Sequence, residues 1–358
     1  MTMSDTYNEL LQQFRQQILT AGEVGSSLCI QGGASKSWYG NPVAGDILDT
    51  RPYRGVISYE PTELYITARA GTPLCEIEDL LAQHGQMLAF EPPHFGANAT
   101  IGGMVATGLS GPRRATHGAL RDFVLGVSMM NGKGEFLRFG GQVMKDVAGY
   151  DVSRLMAGSL GSLGLLLDIA LKVMPRPACE TSLAFAMSEQ DALHVLNLWA
   201  GQALPISASC YHAGRLLVRL SGSESALRLA KQKLGGLELP QTELFWQNLR
   251  EHQHHFFIPE DGLALLRVSL PPTAPALKIK AKSLIEWGGA QRWLWTHEPI
   301  PSLREQVQAM GGHLTQFRYA DPTQAIFTPL SAPLLNIHQQ LKKSFDPASV
   351  FNRGKLFS

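Results

Sequence analysis

Residues Ala99–Gly111 read ATIGGMVATGLSG, and two further glycine clusters lie before and after them, QGGASKS at Gln31–Ser37 and GSLGSLG at Gly158–Gly164. Glycine has no Cβ, so a run of it lets main-chain N–H groups close on an anion and neutralise it without Lys or Arg. Any one cluster is also what a tight turn or a close sheet contact requires. Three within one stretch favour a phosphate-bearing ligand. Of the 35 glycines, 24 lie at or before Gly164, so the unusual backbone is concentrated in the first half. No G-x-G-x-x-G follows a strand and no G-x-x-x-x-G-K-[ST] occurs, which removes support from a Rossmann dinucleotide fold and from a P-loop.

Outward from these clusters, Tyr7, Leu10, Leu11, Phe14, Ile18 and Leu19 fall at helical spacing and predict an opening helix ending at Gly22. Strands are predicted at 27–30, 55–59, 63–70 and 165–173, a helix at 73–84, and a hairpin of 123–130 with 135–139 about the turn NGKG at Asn131–Gly134. At Met174-Pro175-Arg176-Pro177 glycine density falls and two prolines punctuate, which marks a domain boundary. Beyond it, strand, helix, two strands and helix at 181–187, 190–201, 208–212, 216–221 and 224–234 begin a β-α-β-β-α-β order, that of a ferredoxin-like module. The stretch 241–301 resists phasing, no internal repeat is visible, and a helix at 332–344 precedes the terminal FDPASVFNRGKLFS. The expected fold class is α+β, divided into 1–177, 178–330 and a returning segment 331–358.

The 358 residues carry 31 Lys and Arg against 30 Asp and Glu, a net charge of +1 that builds in no attraction to nucleic acid. Charged residues are 17% against a usual ~25%, so part of the surface is expected to be covered by other protein. Cys29, Cys75, Cys179 and Cys210 lie far apart, offering no zinc or iron–sulfur ligand set, and read as reduced thiols. The N-terminus holds Asp5 and Glu9 instead of a basic start and an apolar run, unlike a signal peptide. The longest uncharged stretch, Pro92–Pro112, is interrupted by Gly, Pro, His94 and Asn98, so no membrane span is predicted. A cytoplasmic protein is expected.

In order along the chain come the first glycine cluster, YEPTELYITARAGTPL at 59–74, EPPHFGANATIGGMVATG at 91–108, HGALRDFVLGV at 117–127, KDVAGYDVSRLMAGSLGSLGLL at 145–166 and FNRGKLF at 351–357. This order resembles the vanillyl-alcohol-oxidase/p-cresol-methylhydroxylase type of FAD-binding flavoproteins. Through Pro112-Arg113-Arg114, FWQNLREHQHHFF, WGGAQRWL, GGHLTQF and PLSAPLLNIHQQLK, the chain is most similar to the family of FAD-binding E subunits of bacterial glycolate oxidase.

The resemblance implies two α/β subdomains gripping FAD under a ferredoxin-like α+β cap. It implies that the backbone of Gln31, Gly32, Gly33, Ala34, Ser35 and Lys36, and of Thr100, Ile101, Gly102 and Gly103, cradles the pyrophosphate. Thr107 and Gly108 would run under the ribityl and flavin, the segment Gly158, Gly161, Gly164 and Leu165 would meet the adenosine side, and the Asn352 amide would reach toward the flavin. Relatives with covalent FAD place a His or Cys near the glycine loop or in the cap; here the loop offers Ala34, Ser35 and Lys36, so non-covalent FAD is expected. The implied function is an FAD subunit of a complex oxidising glycolate to glyoxylate, with a catalytic FAD-binding sister subunit and an iron–sulfur subunit as partners. Any membrane association would be peripheral, at the inner face through those partners. The alternatives are a stand-alone D-2-hydroxy-acid (D-lactate) dehydrogenase and a non-catalytic electron-relay flavoprotein.

Sister enzymes acting alone carry a metal-binding cap segment G-H-x-G-D-G-N-x-H and a later E-H-G, and this sequence has neither. His313, in GGHLTQF, stands where relatives keep the E-H-G region and is the candidate catalytic base, beside the plainer reading of a structural histidine. The trio His252, His254 and His255 reads as a solvated helix face, with no metal site expected. Arg113 and Arg114 suit an anionic substrate, the FAD phosphates, a surface loop or a subunit contact. Trp287–Trp295 suits interface anchors or core packing.

Overall fold

A computed structural model describes residues 3–141 and 151–356; the KDVAGY part of the motif at 145–166 named above, residues 145–150, lies outside the described residues. The first half is built on five antiparallel strands in the order Val56–Glu60, Tyr65–Arg69, Leu165–Lys172, Val124–Met130 and Phe136–Gly140. The central strand Leu165–Lys172 is almost continuously buried, as a strand covered on both faces must be. Helices Leu74–Gln83 and Ile101–Thr107 supply Leu74, Ile77, Leu81, Ile101, Met104 and Val105 to a core with Ile66, Ile169 and Leu171. A second core joins Phe14 and Ile18 of the helix Met3–Val24 to Leu48, Leu165, Leu167 and Phe351.

That helix runs past the expected stop. Gly22 stays helical, its bare Cα facing Val350, and Gly25 at φ +71° takes the left-handed turn instead. Beside this core lies a parallel pair, Leu28–Gln31 and Asp46–Asp49, the second a four-residue strand whose DILD pattern gave no sequence signal. The chain end completes the layer: Leu28 donates to the Val350 carbonyl at 2.7 Å and Asn352 to the Leu28 carbonyl at 3.0 Å.

Beyond Pro177 eight antiparallel strands form one sheet. Leu237–Leu239, Cys179–Ala186, Arg215–Gly222 and Ile206–His212 lie in the order 4-1-3-2, with helices Glu189–Ala200 and Glu224–Leu234 as crossovers, the ferredoxin-like arrangement expected. Lys282–Glu286, Gln291–Trp295, Leu265–Ser269 and His313–Arg318 then repeat it from the opposite edge, and Ile206–His212 pairs with Lys282–Glu286 to join the halves. An architectural repeat is therefore present that the sequence hid. Its first crossover, 271–281, contains no helix, and all five residues of Gln291–Trp295 are buried, which erases any alternation. Trp287, Trp293 and Trp295 are buried within this chain, so they are core and not partner anchors.

The cap is clasped to the first half by buried charge. Arg113, 2% exposed, donates through Nε to Glu91 at 3.0 Å and through its other nitrogens to Ser221 and Glu180, while Arg219 of the cap reaches the same Glu91 at 2.9 Å. Burial alone would raise the Glu91 carboxyl, but Arg219 and Arg113 outweigh it and hold the pKa below the ordinary 4.5. This assigns Arg113 to the clasp and sets Arg114 over the Trp287 ring at 4.6 Å. Removing one partner of a buried ion pair strands the other. Arg113→Met is expected to cost about 3–5 kcal/mol in denaturant unfolding. Because the Glu91 pKa is depressed on folding, its contribution is full above the unfolded value and is lost as pH falls through the lower folded value. The gap between wild type and variant should narrow on acidification, and a pH-independent gap would contradict the assignment.

Candidate functional site

The parallel ladder ends where the Thr50 N–H donates to the Gln31 carbonyl at 2.9 Å. Beyond it the chain turns sharply, with Ala34 at φ +56°, and among the described residues the main-chain N–H groups of 32–36 donate to no protein acceptor. Successive unpaired donors around a left-handed residue form an anion nest. The turn is pressed against the second glycine cluster. A Cβ on Gly33 would lie 1.4 Å from the Asn98 carbonyl oxygen, and one on Gly32 would lie 2.3 Å from Thr100 Oγ1. Only glycine permits this approach.

Between the two turns runs a cleft of about 330 Å³, within the ~300–1,000 Å³ of common ligand pockets. Gln31, Gly32, Gly33, Ala34, Ser35 and Lys36 line it, with Thr100, Gly102, Gly103, Thr107, Gly161, Gly164 and Asn352. Ile101 and Leu165 instead point into the two cores. Gly108 caps the helix at φ +65° and packs on Gly158, whose N–H bonds the Val105 carbonyl, so this pair shapes the floor from behind. The N–H groups of Ile101 and Gly102 are already taken by the carbonyls of Thr72 and Ala70, and that of Gly103 by Thr100 Oγ1 at 3.3 Å. The second cluster thus supplies room, and the first supplies donors. Asn352 spends its amide on the protein, accepting from Ile30 N–H at 2.9 Å and donating to the Leu160 carbonyl at 2.6 Å. It ties the tail to the third cluster.

Sequence reasoning missed Cys29, Tyr39, Thr50, Leu160 and Lys355, which also line the cleft; Lys355 sits within the quoted C-terminal motif, so a signal was there. Lys36 donates to the His94 carbonyl at 3.0 Å and is only 8% exposed; burial lowers its pKa to about 8 against the pull of Glu251. Lys355 donates to the Ser37 carbonyl at 2.8 Å and is likewise lowered by burial. No Asp or Glu among the described residues lines the cleft. Two buried ammonium groups facing a run of free N–H donors call for an anion.

His313 is not brought to this place. It is the exposed first residue of the edge strand His313–Arg318. Phe317, which meets the cleft residue Tyr39 at 5.3 Å between ring centres, lies four residues further, about 13 Å along a strand. His252, expected on a solvated helix face, follows the helix Glu243–Arg250 and stacks flat on Phe257 at 3.9 Å. His254 and His255 gather with His212 elsewhere on the cap, ring centres 5.8 and 5.2 Å from it.

Comparison with known proteins accords with this geometry. Residues 12–140 match the FAD binding domain family. The chain is 48% identical over 355 residues, 99% of its length and 98% of the relative's, to the glycolate oxidase subunit GlcE of Escherichia coli (strain K12). The chain belongs to the GlcE family of glycolate oxidase subunits. As a member it is an FAD-dependent oxidoreductase subunit. The glycolate oxidase subunit GlcD of Bacillus subtilis (strain 168) is 30% identical over 162 residues, 44% of this chain and 34% of that one. The solved structure of alkyldihydroxyacetonephosphate synthase superposes with a TM-score of 0.64 at 13% identity, covering 95% of this chain and 74% of that one. It shares the fold, an FAD-binding domain with an antiparallel-sheet cap. No helix among the described residues is long and apolar enough to cross a membrane.

The two glycine turns separate structure from binding. Gly33→Ala is expected to destabilise the apoprotein by about 2–3 kcal/mol through backbone overpacking. Gly103→Ala, whose Cβ would meet only Thr100 Oγ1 at 3.3 Å, should stay within about 1 kcal/mol of wild type. Equal melting of the two apo variants would contradict the packing described.

Proposed function

We propose that the chain holds one FAD non-covalently in this cleft, the diphosphate on the 32–36 nest with Lys36 and Lys355 supplying charge, and works within a complex that oxidises glycolate to glyoxylate. The observation that carries the reading is a cleft with free main-chain donors, two buried ammonium groups and no lining carboxylate among the described residues. A diphosphate's negative charges are opposite in sign to that lining and so are attracted to it, and backbone donors fixed by the Gly33 packing need no rearrangement to receive them. The chemistry FAD supplies when bound is acceptance of a hydride from the α-carbon of a 2-hydroxy acid. This chain's residues bind the diphosphate and hold the cleft open, and next to the cleft residue Tyr39 the rings of Trp38 and Phe95 meet Phe317 of the cap. Partners in this reading are a sister FAD subunit with the metal-binding segment this sequence lacks and an iron–sulfur subunit to take the electrons. The same reading divides the chain at 177 and 330, supported by the separate sheets and by the return of Val350–Asn352 to Leu28.

Acid precipitation should release one yellow FAD per chain into the supernatant, and flavin retained in the pellet would refute non-covalent binding. Lys36→Gln should weaken FAD binding by about tenfold or more, the worth of a charge-assisted hydrogen bond. The sign of the pH effect follows from burial. In the apoprotein the Lys36 ammonium loses its proton as pH rises through about 8. Affinity should therefore be flat below that pH and fall above it, by at most tenfold per pH unit. In Lys36→Gln that component should vanish. Identical pH profiles for the two proteins would remove Lys36 from the site.

A further inference from the structure

A groove opens on one face of the cap sheet at the tip of the hairpin formed by Ile206–His212 and Arg215–Gly222. The register sets His212 opposite Arg215 and Cys210 opposite Leu217. Cross-strand partners share a face, as do residues two apart along a strand, so a polar pair stands at the tip with an apolar pair behind it. Leu239, Phe245, His254 and His255 help to close a space of about 410 Å³, within the ~300–1,000 Å³ of common ligand pockets. None of these residues lines the cleft between the glycine turns.

The floor is apolar and the rim is basic. His212 Nδ1 donates to the Ser283 carbonyl at 2.8 Å, and His254 Nδ1 accepts from the Phe256 N–H at 3.2 Å. Both rings are therefore fixed, and neutral His254 carries its proton on Nε2 as a donor. The ring centre of His255 lies 4.0 Å from that of His254 and 5.2 Å from that of His212. Arg215 is exposed, and among the described residues its guanidinium has neither an ion pair nor a side-chain hydrogen bond. No Asp or Glu among the described residues lines the groove. A metal ion does not suit this set: among the described residues no three His, Cys, Asp or Glu converge on one point, His254 offers an N–H and not a lone pair, and Arg215 repels a cation. An anion suits it, and the floor of Leu217, Leu239 and Phe245 asks that the anion carry an apolar body.

We propose that this groove binds a small monocarboxylate with an aromatic or branched apolar body, its carboxylate held by Arg215 and His254 Nε2 and its body laid on Leu217, Leu239 and Phe245. Glycolate, which has no such body, is not its ligand. The site stands apart from the cofactor cleft, is independent of the FAD reading, and makes no covalent bond to what it holds.

The test is equilibrium dialysis of the full chain against radiolabelled 3-phenylpropionate, with and without saturating FAD. One saturable site is expected, of equal affinity in both conditions. The neutral 3-phenylpropionamide and the bare headgroup acetate should compete about tenfold less well or worse. Arg215→Met, which keeps the aliphatic length, and His254→Asn, whose side-chain oxygen can still accept from Phe256 N–H, should each weaken binding by about tenfold or more, with thermal unfolding unchanged. Arg228→Met, on the helix Glu224–Leu234 that packs against the opposite face of the sheet, should bind as wild type does. Binding that FAD abolishes would put the acid in the glycine cleft and overturn the proposal. Equal affinity for acid and amide, wild-type affinity in Arg215→Met, or no saturable binding to wild type would overturn it as well.

Discussion

Everything about the cleft depends on the approach of Gly32 and Gly33 to Asn98 and Thr100. At 1.4 Å from a carbonyl oxygen, the place of a Gly33 Cβ is occupied by another strand of main chain. The first turn is therefore braced from behind by protein, and its N–H groups, having no acceptor behind them, are left facing the cleft. Rigid donors are what a diphosphate site requires, because a flexible loop would lose conformational entropy on binding. The Asn352 amide extends the bracing, joining the end of the chain to the strand before the first cluster and to the loop of the third. Three segments remote in sequence are thus fixed around one space.

The cap is held to this frame by a different physical device. Arg113, Glu91, Arg219 and Glu180 form a buried ionic group in which two guanidinium groups share Glu91, and Trp287 adds a bond from its Nε1 to the Gly111 carbonyl at 3.0 Å. Such a group contributes little net stability compared with apolar packing, yet it tolerates only one relative placement of its partners. It fixes where the cap strands stand relative to the loop that leaves the second glycine cluster.

Much of the frame was legible in the sequence. The hairpin about Asn131–Gly134, the helix on Leu74, Ile77 and Leu81, and the first three cap strands follow from turn chemistry and periodicity, and the glycine clusters marked the cleft. What escaped has identifiable causes. The strand Asp46–Asp49 is short and half polar. The second half of the cap repeats the first without its first crossover helix, and its strands are buried too uniformly to alternate. Ile101 and Leu165 sit inside motifs whose neighbours line the cleft, and only the direction of a side chain separates the two groups. His252 read as a surface residue because burial by stacking on Phe257 and Trp293 comes from residues distant in sequence as well as near. The role of Arg113 stayed open among an anion, a surface loop and a subunit contact because its carboxylates lie on other elements.

The account stands on the location of FAD in the cleft between the glycine turns, and Cys29 reports on it directly. This thiol lines the cleft and is partly accessible, while Cys75 is exposed and is absent from the cleft lining. Peptide-resolved alkylation of the apoprotein and of the FAD-loaded protein measures both in one sample. FAD should slow modification of Cys29 strongly and leave that of Cys75 unchanged. Stoichiometric FAD with an unaltered rate at Cys29 would place the cofactor elsewhere and contradict the account.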